Sequence, residues 1–177
     1  SDDLTARTPG KRPIAMLFQD GNLFPHLTVA QNAGLGINPN RKLTPDEMKT
    51  VEVAISRVGL SGMEGRKPAE LSGGQQSRAA LARVLVQQRD LLLLDEPFDS
   101  LDRHGVRLLT RYLKALDNTR TATTAIIVSH MVEVTADFIN RVAIIRGGRI
   151  RLDQAWEGGS GTQLQQLCDR FSEPDGN

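Results

Sequence analysis

Four consecutive leucines, Leu91 to Leu94, bounded by Asp90 and Asp95, constrain this chain more than any other stretch. The run is of strand length and lacks a polar alternate, so it predicts a strand buried on both faces. Such strands belong to parallel sheets, whose crossover connections are usually helices. The flanking sequence alternates accordingly. Arg103 to Leu116 predicts a helix with Val106, Leu109, Leu113 and Leu116 on one face, Thr123 to Ser129 a strand, Met131 to Phe138 a helix, and Arg141 to Ile145 a strand. Upstream, Pro13 to Phe18 is another apolar run of strand length. Together these predict an α/β fold, a parallel sheet covered by helices on both faces.

Residues 21–88 follow a different rhythm and predict an inserted, mostly helical lobe. Thr28 can cap a short helix running to Ala33. Thr44-Pro45-Asp46-Glu47 is a helix start: an N-cap, a proline in the first turn and acids at the positive end of the dipole. Met48, Val51, Ile55 and Val58 recur at helical spacing, and Gly59 offers a stop. A second helix is expected from about Gly74 to Gln88, burying Ala80, Leu81, Val84 and Leu85. Beyond the sheet, Gly147-Gly148 predicts a hairpin into Arg149 to Leu152. Gly158 to Gly161 reads as a flexible joint before a last helix with Leu164, Leu167, Cys168 and Phe171 on one stripe. The expected organisation is a helical lobe over 21–88, a sheet core over 89–153 and a C-terminal helix and tail over 154–177.

Composition narrows the function classes. With 22 basic and 21 acidic residues among 177, the chain carries no basic footprint for nucleic acid. No apolar run approaches the ~20 residues of a membrane-spanning helix. The single cysteine, Cys168, excludes an internal disulfide framework and offers no metal-ligand spacing. No signal peptide opens the chain, which makes the cytosol the expected compartment. The start at Ser1 rather than Met suggests an incomplete chain.

Two short motifs carry chemistry. Leu71-Ser72-Gly73-Gly74-Gln75 stands immediately before a helix. Glycines let the backbone approach an anion, the helix N-terminus presents N–H groups of positive character, and Ser72 adds a hydroxyl. The bland alternative is a loop and cap. Leu91 to Pro97 ends in Asp95-Glu96, two acids at the carboxyl end of a buried strand, where open α/β sheets bind ligands. A carboxylate suits magnesium, so Asp95 is the candidate metal ligand, and Glu96 is placed to orient or deprotonate water. Here the alternative is a solvated turn. Only 19 residues separate Gln75 from Asp95, and Ser100-Leu101-Asp102 follows closely. Ser129-His130 ends another strand, where a neutral imidazole can hydrogen-bond a phosphate or simply line the rim. Gln19 ends the first strand with an amide that can both ligate and donate.

In this order the set resembles the nucleotide-binding subunits of ATP-binding-cassette (ABC) transporters. Leu71 to Gln75 resembles the signature sequence, Leu91 to Pro97 the Walker B segment, Ser100 to Asp102 the D-loop, Gln19 the Q-loop glutamine and His130 the switch histidine. The resemblance implies a P-loop NTPase-like parallel sheet with a helical signature subdomain, and the cofactors ATP and Mg2+. It implies that two such subunits pair head to tail with ATP between them. Asp95 and Gln19 would hold magnesium, Glu96 would be the general base, and His130 would hold the γ-phosphate. Ser72, Gly73, Gly74 and Gln75 would grip the nucleotide of the opposite subunit, and Asp102 would couple the two sites. Lys11 to Gln19, Asn22 to Asn32 and Gly34 to Pro39 are similar to the import branch, most of all to importers of thiamine and thiamine pyrophosphate. That implies transmembrane permease subunits as partners, a periplasmic solute-binding protein acting indirectly, and a peripheral location on the cytoplasmic face of the bacterial inner membrane.

Some residues depart from the family pattern. A Walker A loop, G-x-x-x-x-G-K-[ST], belongs upstream of the Q-loop, yet the only Gly-Lys pair here is Gly10-Lys11, followed by Arg12. The first third of the family's domain, with its adenine-stacking aromatic, is therefore expected to be missing, which would expose apolar core. Gln76-Ser77 stand where Arg-Gln is frequent, though Arg78 fits, and Met131 follows His130 where an acid is common. His26 and His104 read as surface or loop residues, and Cys168 and Trp156 as packing. Leu23 and Phe24 are candidate contacts for a membrane subunit, with packing inside the lobe as the alternative. The alternative function is a non-catalytic fragment that supplies only the signature half-site to a complete partner. A chromosome-maintenance or repair ATPase would require long coiled coils, and no sustained heptad run is present.

Overall fold

The leucine run is the middle strand of a parallel sheet. The computed structural model describes residues 8, 12–17, 22–40, 42–117 and 123–171. In it, strands β1 (Ile14–Leu17), β2 (Leu91–Asp95) and β3 (Thr124–Val128) lie in the order β1-β2-β3, all parallel. The register aligns Leu17, Leu94 and Ile127 in one row and Met16, Leu93 and Ile126 in the next. Paired residues share a face and neighbours along a strand alternate. Ala15, Leu17, Leu92 and Leu94 occupy the buried face. On the opposite face Met16 is 43%, Ile126 49% and Val128 53% exposed. The expectation of full cover on both faces is thus corrected: the Met16–Leu93–Ile126 row is partly exposed, and Leu91 and Leu93 are only half-buried.

The chain separates into two compact units, Ser1–Val128 and Ser129–Asn177. In the first, helices α1 (Val29–Gly34), α2 (Pro45–Arg57) and α3 (Gly73–Leu85) pack on one another, and α3 also packs on β1. Thr28 and Thr44 cap α1 and α2, each in a reciprocal capping box, with Gln31 and Glu47 respectively. Helix α2 buries Val51, Ala54 and Ile55, and Val58 and Leu60 follow it into the core. Met48, expected on the same face, lies in the first turn and is 49% exposed. Helix α3 starts at Gly73 and stops at Leu85 rather than Gln88. Gln88 takes a φ of +44°, turning the chain out of the helix toward β2, and Leu85 is half-buried. A short 3-10 turn, Pro68–Glu70, leads into α3. Helix α4 (Arg103–Asp117) buries Leu109 and Leu113 and leaves Val106 and Leu116 half-buried.

The second unit holds α5 (Val132–Thr135), the antiparallel pair β4 (Arg141–Arg146) and β5 (Arg149–Ala155), and α6 (Gly161–Arg170). Gly147 and Gly148, at φ +55° and +73°, form the two-residue turn that such a hairpin needs. β4 pairs with β5 alone, so the Arg141 strand does not join the parallel sheet among the described residues. The helix expected over Met131 to Phe138 contracts to a single turn. Its β-branched residues Val132, Val134 and Thr135 favour helix weakly, and Thr135 Oγ1 bonds back to the Val132 carbonyl at 3.0 Å. The expected joint at Gly158 to Gly161 is partly a helix start: Ser160 caps α6 in a box with Gln163, and Gly161 sits so close to Glu133 that a Cβ would come within 2.6 Å of the Glu133 Cα. Ala136, Val142 and Leu164 form the core of this unit, with Trp156 against them and its Nε1–H donating to the Ala136 carbonyl at 3.1 Å. Cys168 is half-buried, and burial, helped by the charge of Asp169, pushes its thiol pKa up.

Asn32 was invisible in the sequence as a structural residue. It is fully buried on α1, where its amide nitrogen donates to the carbonyls of Phe24, Leu27 and Thr28 and its oxygen accepts from the Phe24 N–H at 2.8 Å. One side chain therefore satisfies the loop that leads into α1, including both polar groups of the exposed Phe24. Asn32→Ala removes the bonds to the Phe24 N–H and the Leu27 carbonyl, while the Phe24 and Thr28 carbonyls keep the Leu27 and residue-32 backbone N–H donors; it is expected to cost about 2 kcal/mol, seen as a lower urea midpoint. Separately, Met16→Thr combined with Ile126→Thr should raise the concentration at which the chain stays monomeric in sedimentation, with its circular dichroism unchanged.

Candidate functional site

Each candidate side chain is placed by a chain end of the sheet or of a helix. Asp95 is the last residue of β2, exposed, and in register with Val128. Glu96 leaves the strand but keeps the ladder, its N–H donating to the Val128 carbonyl at 2.9 Å. Its φ of +44° lies in the left-handed region, a strain of about 1 kcal/mol or more for a side chain of this size. Pro97, which follows, already disfavours the right-handed helical region for Glu96. The two carboxylates therefore leave one strand end in different directions, with Asp95 exposed and Glu96 half-buried. Pro97 and Phe98 are buried and anchor the turn that carries the chain to Asp102; nothing in the sequence separated Phe98 from a surface loop residue.

The Ser72–Gln75 turn is a capping box. Ser72 Oγ accepts from the Gln75 N–H at 3.3 Å, and Gln75 Oε1 accepts from the Ser72 N–H at 2.9 Å. The pattern S-x-x-Q was the available signal for it. The first intrahelical bond runs from the Gln76 N–H to the Ser72 carbonyl. That leaves the Gly73 and Gly74 amides as the helix N-terminal donors without an intrahelical acceptor, at the positive end of a helix of 13 residues. Ser72 and Gly73 are exposed.

Asp102 caps α4 without a reciprocal bond, since the residue three on is a glycine. Its Oδ1 accepts from the Gly105 N–H at 2.7 Å, and its Oδ2 lies 3.3 Å from Arg78 Nη2 on α3. The Asp102 side chain rests against Gly74, where a Cβ would come within 2.8–2.9 Å of it. The structure thus brings Gly74 and Asp102 together, which the linear motifs did not suggest. Asp95 and Glu96 are adjacent at the strand end. His130 belongs to the second unit; it is exposed, two residues past the end of β3, and its carbonyl accepts from the Val132 N–H at 3.0 Å. Gln19 lies outside the described residues. Phe24 is 47% exposed with the His26 ring edge-on at 6.1 Å, and Leu23 is half-buried.

Residues 2–99 match the family described as ABC transporter. The chain belongs to that family. Among curated relatives it is 60% identical over 151 residues to the thiamine import ATP-binding protein ThiQ of Ruegeria sp. (strain TM1040), covering 84% of this chain and 64% of that protein. It is 44% identical over 156 residues to ThiQ of Escherichia coli O6:K15:H31, covering 88% of this chain and 65% of that protein. The chain therefore spans just under two thirds of the length of these relatives. Among solved structures it resembles the ATP-binding cassette MJ0796, described as a dimer in a post-hydrolysis state bound to ADP and Pi, with a TM-score of 0.71 and 30% identity over 82% of this chain and 64% of that one. The parallel sheet with its helices is the α/β fold of these ABC cassettes, and the chain is close in sequence to thiamine-import nucleotide-binding subunits.

The Ser72 hydroxyl has a measurable structural share in this site. Ser72→Ala is expected to cost about 1 kcal/mol by chemical denaturation, and Ser72→Asp, which restores an acceptor, to recover most of it.

Proposed function

We propose that this chain is part of the ATP-hydrolysing subunit of a bacterial importer for thiamine or thiamine pyrophosphate. The observation that carries the reading is the pair Asp95-Glu96 at the open end of the middle strand, with Glu96 held in a strained backbone conformation in a chain 60% identical to a thiamine import ATP-binding protein. The donor set fits Mg-ATP. Asp95 offers an exposed hard oxygen of the kind magnesium takes, and the Gly73 and Gly74 amides, Gly73 exposed, offer N–H donors at a helix N-terminus.

In this reading Asp95 holds the magnesium ion, with the Gln19 amide oxygen as a second ligand. The metal, when bound, neutralises charge on the phosphates. Glu96 takes the proton of the attacking water, and its half-buried position keeps it from being fully solvated. His130 donates a hydrogen bond to the terminal phosphate. Ser72, Gly73, Gly74 and Gln75 grip a nucleotide held by a second subunit. Because Ser72 Oγ already accepts from the Gln75 amide, it is the hydroxyl proton that remains for the phosphate. Asp102 couples the two sites of the pair. Positioning and charge stabilisation supply most of the rate, as in phosphoryl transfer generally.

The partners proposed are a second copy of the subunit and transmembrane permease subunits, with a periplasmic binding protein acting through the permease. Two findings support them: MJ0796 was solved as a dimer, and the similar curated proteins are import ATP-binding proteins. The proposed location is the cytoplasmic face of the inner membrane. No helix among the described residues is long and apolar enough to cross a membrane.

Glu96→Gln in the intact protein should lower ATP turnover by about 100-fold or more while leaving nucleotide binding in place. Asp95→Asn should weaken binding of Mg-ATP relative to metal-free ATP. Steady-state turnover and fluorescent-nucleotide titration read the two effects. Undiminished turnover in Glu96→Gln would remove Glu96 as the base. If the protein does not hydrolyse ATP but restores turnover to a partner subunit defective in its own signature turn, it is a half-site module.

A further inference from the structure

Arg78 is the one charged side chain among the described residues that is buried with a nitrogen lacking any hydrogen-bond partner, its Nε. It projects from the second turn of α3, only 7% exposed. Its stem passes Gly105, where a Cβ would come within 3.2 Å of the Arg78 Cγ. Nη1 donates to the carbonyls of Val58 and Gly59 at 3.0 and 3.1 Å, at the carboxyl end of α2. Nη2 reaches Asp102 Oδ2 at 3.3 Å. Gly59, at φ +67°, leaves space shared by the His104 ring and the guanidinium head, since a Cβ there would come within 2.6 Å of His104 Nε2 and 3.2 Å of Nη1. Asp102 in turn holds the Gly105 N–H and lies against Gly74. Three glycines thus surround one ion pair, and three chain segments converge on it.

A buried N–H without an acceptor opposes folding. An apolar side chain could fill this space without that cost, so packing alone does not account for a guanidinium here. Its planar, divergent donors do account for it: one end reaches the carbonyls of α2 and the other the Asp102 carboxylate, a geometry that a lysine ammonium does not reproduce. We propose that Arg78 is a positioning residue that joins the Ser72–Gln75 turn and the Asp102 loop into one rigid element, so that neither moves without the other. Gly74 completes the link, because its missing side chain lets Asp102 sit directly on the first turn of α3. For its bearing on turnover the inference rests on the ATPase reading above; the mechanical link itself does not.

The test compares Arg78→Lys, Asp102→Asn, the double variant and Gly74→Ala in the intact protein. Hydrogen exchange should show the Gln76 and Gly105 amides losing protection together, by about tenfold, in Arg78→Lys and Gly74→Ala. In steady-state kinetics, kcat should fall about tenfold in Arg78→Lys and in Asp102→Asn with KM for ATP within about twofold, and the double variant should be no worse than the poorer single. Exchange that rises at Gly105 but not at Gln76, unchanged kcat in Arg78→Lys, or additive losses in the double variant would each overturn the proposal, since each would show the two segments responding independently or their link having no bearing on turnover. Asp102→Asn changes only a half-exposed side chain, so it answers the kinetic question if Arg78→Lys proves poorly folded. Glu96→Gln is run alongside. Turnover insensitive to Glu96 would count against the ATPase reading, and hydrogen exchange would still decide whether the two segments are linked.

Discussion

Strand β2 is hydrogen-bonded on both edges, to β1 and to β3, and the placement of the candidate catalytic groups depends on that double pairing. A strand held on one side can twist or slip at its end, but one held on both sides delivers its last residue to a defined point. Asp95 is that residue, and the ladder continues one step further through the Glu96 N–H. Glu96 is therefore fixed at its amide while its own φ is forced positive. Strain of this kind persists only where the surroundings over-determine the backbone. Here they do: the β3 ladder lies before Glu96, and the buried Pro97 and Phe98 lie after it.

Helix capping is the second recurring device. Thr28, Thr44, Ser72 and Ser160 each exchange hydrogen bonds with a Gln or Glu three residues on. At α1, α2 and α6 this only begins a helix. At α3 the two residues inside the box are glycines, so the same chemistry that satisfies Ser72 and Gln75 leaves two amides that carry no side chain of their own, Gly73 exposed and Gly74 half-buried against Asp102. The residues a capping box encloses thus decide how open the helix N-terminus is.

Two buried polar side chains solve a common problem in the first unit. Asn32 satisfies the loop before α1, and Arg78 satisfies the carbonyls after α2. In both cases a chain segment that leaves regular structure near the core has polar backbone groups that are buried or partly buried, and one side chain answers several of them. Arg78 differs in also reaching the Asp102 carboxylate, which ties this local repair to the turn that begins α4.

The alternation of strand and helix, the caps at Thr28 and Thr44, the hairpin glycines and the acids closing the leucine strand were all legible in the sequence, because each depends on neighbours a few residues away. The capping box at Ser72 was legible too, in the pattern S-x-x-Q, beneath the more conspicuous glycines. Other features were not. Exposure of Met16, Ile126 and Val128 depends on what lies over the sheet, and an apolar alternate gives no sign of whether its cover is present. The pairing of β4 with β5 rather than with a parallel strand reflects a choice among segments that periodicity does not encode. The contact of Gly74 with Asp102, the strain at Glu96 and the work of Arg78 and Asn32 exist only when segments far apart in the chain meet. Local hydrogen bonding and side-chain periodicity are written residue by residue, and so the sequence alone determined which elements form and where their caps begin, though not where α3 and α5 stop. Register, burial and shared partners are set by packing, and so the tertiary structure alone decided which of those ends share an ion pair, a ladder or a glycine gap.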